Sequence, residues 1–269
     1  MLYFVATPIG NLEDISKRAL NLLESSKTII CEDTRVAKRL IYLLKQKGSF
    51  SPVPKTYISL HSHNEKDVLK QLSPDIFEDS VIYISDAGMP TISDPGALLV
   101  QYCQLHDIKY EIIPGANALL LAYAASGFCD SKFLFFGFLP HKGDERDLAL
   151  QEALYNGYTT IVYESPKRVL KLIEQISAIE PSREIFLIKE ATKLYEKKYK
   201  AKAKELKEIL KNENLKGEWS IVIKGEKRDR NKITITDIKK LNLPKKQTAK
   251  LIAKITGKSI TECYNELLE

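Results

Sequence analysis

The chain has 269 residues, 44% of them hydrophobic, and a formal net charge of +6 at pH 7. That length points to two domains, and the four cysteines, far apart and without a C-x-x-C pair, argue against a zinc ribbon or a disulfide framework and fit a reducing cytosol. The charge is uneven: residues 1–188 hold 19 basic and 23 acidic side chains, residues 189–269 hold 22 and 12, so a polyanion is the expected partner of the final third.

In chain order, an apolar run at 2–6 reads as a strand with no basic leader before it, so no secretory signal is expected. It ends in Thr7-Pro8-Ile9-Gly10-Asn11, a turn signal. Ile15, Ala19, Leu22 and Leu23 follow at helical spacing. Residues 28–31 read as a strand, 34–44 as a helix, 57–60 as a strand, 65–72 as a helix and 81–84 as a strand. Between that strand and a helix at 97–105 lies SDAGMPTISDPG, residues 85–96. A plain strand-to-helix connection needs only about two to six residues. This one is longer and carries two aspartates, which points to a held ligand. A strand at 110–113 and a helix at 116–125 repeat the alternation. The uncharged stretch 112–129 is broken by Pro114, Gly115 and Asn117, so no membrane span is expected.

Alternating strands and helices predict an α/β fold with parallel pairing. Ligands on such sheets sit beyond the carboxyl ends of the strands. The glycine-bearing loops 7–11, 85–96 and 114–116 all lie there, so one shared site is expected.

A second α/β unit follows: strand 133–138, helix 144–155, strand 159–163, helix 166–176, strand 183–188, basic helix 202–211 and strand 219–223. The charged run 226–232 reads as a linker. Helices at 237–241, 245–255 and 261–268, with Pro244 in a first turn and Gly257 as a C-cap, form either a helix-turn-helix unit or a packing cap. The expected division is 1–118, 119–225 and a tail of 226–269.

No G-x-G-x-x-G or Walker motif is present. His61 and His63 lack further ligands, so no metal is expected. Glu32-Asp33-Thr34-Arg35 reads as a helix start with Asp33 as N-cap. Ser165-Pro166 also reads as a helix start, yet Lys167 and Arg168 put positive charge at the positive end of the helix dipole. That placement, and the basic loop containing Lys142 and Arg146, make these two loops candidates for phosphate contacts.

LYFVATPIGNLEDIS (2–16), CEDTR (31–35), HSHNE (61–65), SDAGMPTISDPG (85–96), IPGANAL (113–119), GFLPHKGDER (137–146), YESPKR (163–168), KEATK (189–193) and KGEW (216–219) occur in that order. Together these motifs resemble the ribosomal RNA small subunit methyltransferase I family of the tetrapyrrole methylase superfamily. The resemblance implies two α/β domains of tetrapyrrole-methylase type with S-adenosyl-L-methionine in the cleft between them, plus the small C-terminal helical extension. It implies a cytoplasmic homodimer that methylates the ribose 2′-hydroxyl of a cytidine in the decoding region of 16S rRNA, as free rRNA or in the 30S ribosomal subunit; the alternatives are a superfamily methylase acting on a tetrapyrrole or diphthine-type substrate and a non-catalytic RNA-binding ribosome-assembly factor. By the same match, Thr7, Pro8, Gly10, Ser85, Asp86, Ala87, Gly88, Met89, Pro90, Pro114, Gly115 and Ala116 line the donor pocket. Glu164 and Glu190 are candidate bases, Glu164 ranked first. Lys189, Lys167 and Arg35 are candidate cations beside the reacting hydroxyl. Arg35, Lys142, Arg146, Lys167 and Arg168 are expected to contact RNA.

Overall fold

The computed structural model describes residues 1–48, 50–226, 235–241 and 243–267. The strands β1 (Leu2–Val5), β2 (Thr28–Cys31), β3 (Thr56–Ser59), β4 (Val81–Ile84) and β5 (Tyr110–Ile113) form one sheet in the order β3-β2-β4-β1-β5. Every pairing in it is parallel. Successive side chains point to opposite faces. Leu2, Phe4, Val81 and Tyr83 meet Leu99 and Cys103 of α4 (Ala97–Leu105) on one face. Val5, Ile29, Ile82 and Ile84 meet α1 (Lys17–Ser25) and α2 (Thr34–Gln46) on the other. Burial of both faces is why these strands read as unbroken apolar runs. Parallel pairing brings the loops after β1, β2, β4 and β5 to a single edge.

The second sheet comprises β6 (Phe133–Phe138), β7 (Thr159–Glu164), β8 (Glu184–Lys189), β9 (Lys197–Lys202) and β10 (Trp219–Ile223), in the order β6-β7-β10-β8-β9. Here only β6 and β7 pair in parallel; the other three pairings are antiparallel. The expected parallel pairing thus describes the first sheet and only one pairing of the second. Asn117 caps α5 (Ala118–Ser126) by accepting the Leu120 N–H at 3.1 Å. Leu119 and Ala122 of α5 pack on Ile161, Phe186 and Val222 of this sheet. Its opposite face is covered by α6 (Asp144–Tyr155), α7 (Val169–Ile179) and α8 (Ala203–Lys211).

Two local expectations are corrected. The sequence pattern does not predict the strand β9. Its KKYKAK run turns Tyr199 and Ala201 toward the core and leaves Lys198 and Lys202 outward. Lysines on an edge strand also discourage pairing with another chain, and their abundance hides the period-2 signal. The helix expected from Pro166 begins instead at Val169, after a turn closed by the Arg168 and Val169 N–H groups on the Ser165 carbonyl.

In the tail, α9 (Ile235–Lys240), α10 (Lys245–Thr256) and α11 (Ile260–Asn265) bury Ile238, Ala249, Ile252 and Cys263 among themselves. Gly257 ends α10 in the left-handed conformation, and Ser259 with Glu262 forms a capping box on α11. Residues 227–232 of the charged run, and residue 268 of the last expected helix, lie outside the described residues. No described helix is long and apolar enough to cross a membrane.

Candidate active site

The loops at the carboxyl edge of the first sheet face the second sheet across a cleft of about 480 Å³. Clefts of roughly 300–1,000 Å³ suit a small organic ligand. From the first sheet it is lined by Ile9, Glu32, residues 86–89 and residues 92–94; from the second by Phe138, Tyr163, Glu164, Pro166 and Trp219. Asn117 and Ala118, between the two sheets, close it.

The backbone explains how the walls are held. Thr7 and Gly88 exchange both of their N–H···O bonds, at 2.8 and 3.1 Å, and so tie the first loop to the third. Gly88 has φ +81°, and a Cβ there would stand 3.1 Å from the Ile9 side chain. A Cβ on Gly115 would stand 2.8 Å from that of Ala6. Glycine is required where backbones approach this closely. Glu65, at the start of α3 (Glu65–Gln71), is buried and accepts the Gly96 N–H at 3.1 Å. An acidic side chain at the start of α4 complements the helix dipole.

Among the described residues the cleft lining contains five carboxylates (Glu32, Asp86, Asp94, Glu164 and Glu218) and no lysine or arginine. Burial pushes Glu32 and Asp86 above the ordinary carboxylate range. Burial, reinforced by the Glu32 charge, pushes Asp94 up to about 6. Such a wall favours a cationic ligand. The Thr7 hydroxyl, on the loop tied to Gly88 of this wall, is buried and has no hydrogen-bond partner among the described residues. The residues present therefore fit a sulfonium compound with polar appendages.

Glu164 sits differently. Its side chain is fully buried, with Arg146 on one oxygen at 3.1 Å and Arg168 on the other at 2.7 Å. The Ser165 N–H adds a bond at 2.8 Å. With both oxygens engaged by arginines, the Glu164 carboxylate has no free lone pair directed at a substrate, so its expected role as base gives way to one of holding the wall. Arg146 is 2% exposed and also donates to Gln175 and the Pro140 carbonyl, at 3.0 and 2.9 Å. Its expected contact with RNA is corrected to an internal one. The positive charge of Arg168 before α7 is met by Glu164, so an external anion is not needed to balance it.

Glu190 and Lys189 are also occupied. Burial pushes Glu190 up, but the Glu218 N–H at 2.8 Å and the Lys193 ammonium at 3.0 Å outweigh that and hold it low. Lys189 is buried against the Asn214 carbonyl and the Trp219 ring. Neither lines the cleft. The Lys193 side chain lies where a Cβ on Gly10 would be, which ties the second sheet to the first loop.

Of the remaining expected residues, Asp86, Ala87, Gly88 and Met89 line the cleft. Ser85 and Pro90 are buried beside it, and Ala116 places its carbonyl against Gly88. Pro8, Pro114 and Gly115 belong to the same edge without lining the cavity. Lys142 and Lys167 are exposed, and Lys167 follows the lining residue Pro166. Arg35 is exposed and paired with Asp33 at 2.5 Å. Glu32, Asp94, Tyr163 and Trp219 are not among the candidate site residues named from the sequence, although all four lie within the family-like motifs CEDTR, SDAGMPTISDPG, YESPKR and KGEW, and the two aspartates of the 85–96 loop were the signal that could have found Asp94. Among the described residues no group of His, Cys, Asp or Glu is arranged to hold a metal ion.

The family model for Tetrapyrrole (Corrin/Porphyrin) Methylases matches residues 1–207. The chain is 53% identical over 270 residues to the Ribosomal RNA small subunit methyltransferase I of Campylobacter fetus subsp. fetus, covering all of both chains. It is 40% identical to the protein of that name from Helicobacter pylori, covering all of this chain and 98% of that one. Among solved structures, uroporphyrin-III C-methyl transferase from Thermus thermophilus complexed with S-adenyl homocysteine superposes with TM-score 0.57 at 17% identity, covering 82% of this chain and 96% of that one. At that identity the likeness concerns the fold.

Proposed function

The chain belongs to the ribosomal RNA small subunit methyltransferase I family of tetrapyrrole methylases, and from that premise we propose that it transfers a methyl group from S-adenosyl-L-methionine to the ribose 2′-hydroxyl of a cytidine in the decoding region of 16S rRNA. The observation that carries this reading is the cleft with five carboxylates and no basic side chain among the described residues, which suits the sulfonium cation of the donor. When bound, the donor supplies a methyl group already activated for displacement. The protein's part is to bind it, to keep bulk water out and to orient the ribose; orientation alone is worth up to about 7–11 kcal/mol in favourable cases. The loops 85–90 and 114–116, with Thr7 and Gly10, are the proposed donor wall. The experiment is calorimetric titration of S-adenosyl-L-methionine into the protein and into its Asp86→Ala variant. We expect the variant to bind at least about tenfold more weakly, a difference of about 1.4 kcal/mol. Equal affinities would remove Asp86 from the donor wall, and failure of the unaltered protein to bind donor, alone or with 30S subunits, would sink the reading.

The same reading includes a cytoplasmic homodimer acting on the 30S subunit. Lys142 and Lys167 are its proposed phosphate contacts, since both are exposed and Lys167 adjoins the cleft. Replacing both by Ala is expected to weaken 30S binding and to flatten its salt dependence. The log–log slope should change by about 0.7 for each single-strand phosphate that the variant no longer neutralises. A slope unchanged between the two proteins would place the RNA elsewhere. Sedimentation of the free protein at the mass of one chain would remove the dimer from the reading.

A further inference from the structure

We propose that Asp94 is the base that takes the proton of the ribose 2′-hydroxyl, an inference that rests on the reading of the cleft given above. Five carboxylates line that cleft, and their bonding separates them. Glu164 is held by two arginines and an N–H group. Glu218 is paired with Lys193 at 2.8 Å. Asp86 accepts the Asp33 N–H at 3.1 Å and joins the loops after β2 and β4. Glu32 and Asp94 form no ion pair among the described residues; Asp94 lies near the Ser85 hydroxyl, which is itself buried without a hydrogen-bond partner. These two are the carboxylates not committed to holding the wall together, and of the two Asp94 stands on the long loop after β4, between Ser93 and the Gly96 start of α4.

The backbone around Asp94 is also unusual. Thr91 and Ser93 adopt left-handed conformations, with φ of 71° and 65°. A non-glycine residue held there costs of order 1–3 kcal/mol, and such outliers cluster at functional sites. Surrounding contacts keep the segment in place: Glu65 holds Gly96 at 3.1 Å, and the fully buried Tyr83 ring packs under Gly96. The Tyr83 hydroxyl is buried without a hydrogen-bond partner. It lies within the electrostatic reach of Glu32, Glu65 and Asp94. Across the cleft, Tyr163 is the facing side chain that senses the Asp94 charge.

The titratable groups facing Asp94 are Glu32, from the loop after β2, Asp86, on its own loop, and the two tyrosines. Burial first, then the Glu32 charge, moves its pKa up to about 6, against a smaller downward effect of Ser85. Above that pH it is ionised, and it holds a proton more tightly than an ordinary aspartate, as a general base working near neutrality should. The step balances. The 2′ oxygen bonds to the methyl carbon, and the carbon–sulfur bond breaks with its electron pair remaining on sulfur. The hydroxyl proton passes to an Asp94 oxygen. S-adenosylhomocysteine, the 2′-O-methylated ribose and a protonated Asp94 result, and the proton then leaves to solvent.

The test compares the unaltered protein with Asp94→Asn and Asp94→Glu. Donor affinity is read by calorimetry, folding by thermal melting, and kcat and KM with 30S subunits across pH 5–9. The Asn variant should melt no lower, since it removes one of several mutually repelling carboxylates, and its donor affinity, read by calorimetry, sets the donor concentration at which its kcat is measured. Its kcat should fall by about 10²–10⁴-fold. The unaltered enzyme should lose rate about tenfold per pH unit below the pKa of about 6. That limb should be missing from the residual rate of the Asn variant and return in the Glu variant. A kcat within tenfold of normal at saturating donor, with or without a raised KM for the donor, overturns the assignment and makes Asp94 a binding residue. So does an acid limb that survives in the Asn variant. If the unaltered protein methylates no 30S subunit, the proposed function fails and this assignment with it; an active parent with an unimpaired variant overturns this assignment alone.

Discussion

Replacing Arg146 by Met is expected to destabilise the protein by about 3–5 kcal/mol, the cost of removing one partner from a buried ion pair. Arg146 is 2% exposed, and all three of its donor nitrogens are used, on Gln175, Pro140 and Glu164. Methionine fills most of the space. It leaves the Pro140 carbonyl and one Glu164 oxygen without the partners that had compensated their burial. A kcal/mol moves the midpoint of a domain of this size by about 2–4 °C, so a fall of about 10 °C in Tm is anticipated. The effect should extend to the cleft, because Glu164 lines it and Arg146, in α6, links that wall to the loop before α6 through the Pro140 carbonyl. The companion variant Glu164→Gln should also destabilise. The double variant should lose less than the sum of the two, since neighbouring groups in one network couple by about 0.5–3 kcal/mol. A single-variant loss below about 1 kcal/mol in urea unfolding, the range of an exposed pair, would show that the arginine is not held as described.

Gly96→Ala should be nearly as damaging for a different reason. Its φ of +117° is a conformation that L side chains rarely adopt, and an added Cβ would stand 2.5 Å from Tyr83 Cε1. Tyr83 has no room to retreat, because it is fully buried and its ring meets Phe4 edge-on at 5.5 Å. Backbone strain of about 1–3 kcal/mol and overpacking of a similar size are expected together. The shift needed to relieve them would pull the Gly96 N–H from Glu65 and displace the loop that carries Asp94, so donor affinity should fall along with stability. Gly48→Ala supplies the comparison. Gly48 has φ +88° with nothing within 4 Å of an added Cβ, so it should cost about 1–3 kcal/mol of backbone strain alone and leave donor binding unchanged. Equal losses from the two substitutions, read by thermal melting and donor titration, would remove Tyr83 from the explanation.

Much of the first sheet could be read from the chain itself. Strands such as VIYI at Val81–Ile84 are buried on both faces, so hydrophobicity alone marks them. The glycine-bearing loops that close the cleft could be found because each breaks a strand-helix alternation. The second sheet was harder. Its strands were found except β9, but antiparallel pairing depends on which strand ends up beside which. Nothing local to residues 219–223 states that they insert between β7 and β8.

The α/β class, the order of most elements, the motifs that mark the family and the loops of the proposed donor site are all legible in the chain. These follow from local periodicity, turn chemistry and residue identity, which are properties of neighbours along the chain. Tertiary structure decided which charges are available. Arg146 and Arg168 look alike beside Lys142 and Lys167 in sequence, yet the two arginines close on Glu164 while the two lysines stay exposed. Glu164 ends β7 and Asp94 lies beyond the end of β4, yet among the described residues one is held between two arginines and the other has carboxylates and hydroxyls as its polar neighbours. The reason is that proton affinity and ion pairing depend on through-space distance and on burial, and both are set only when residues far apart in the chain are packed against each other.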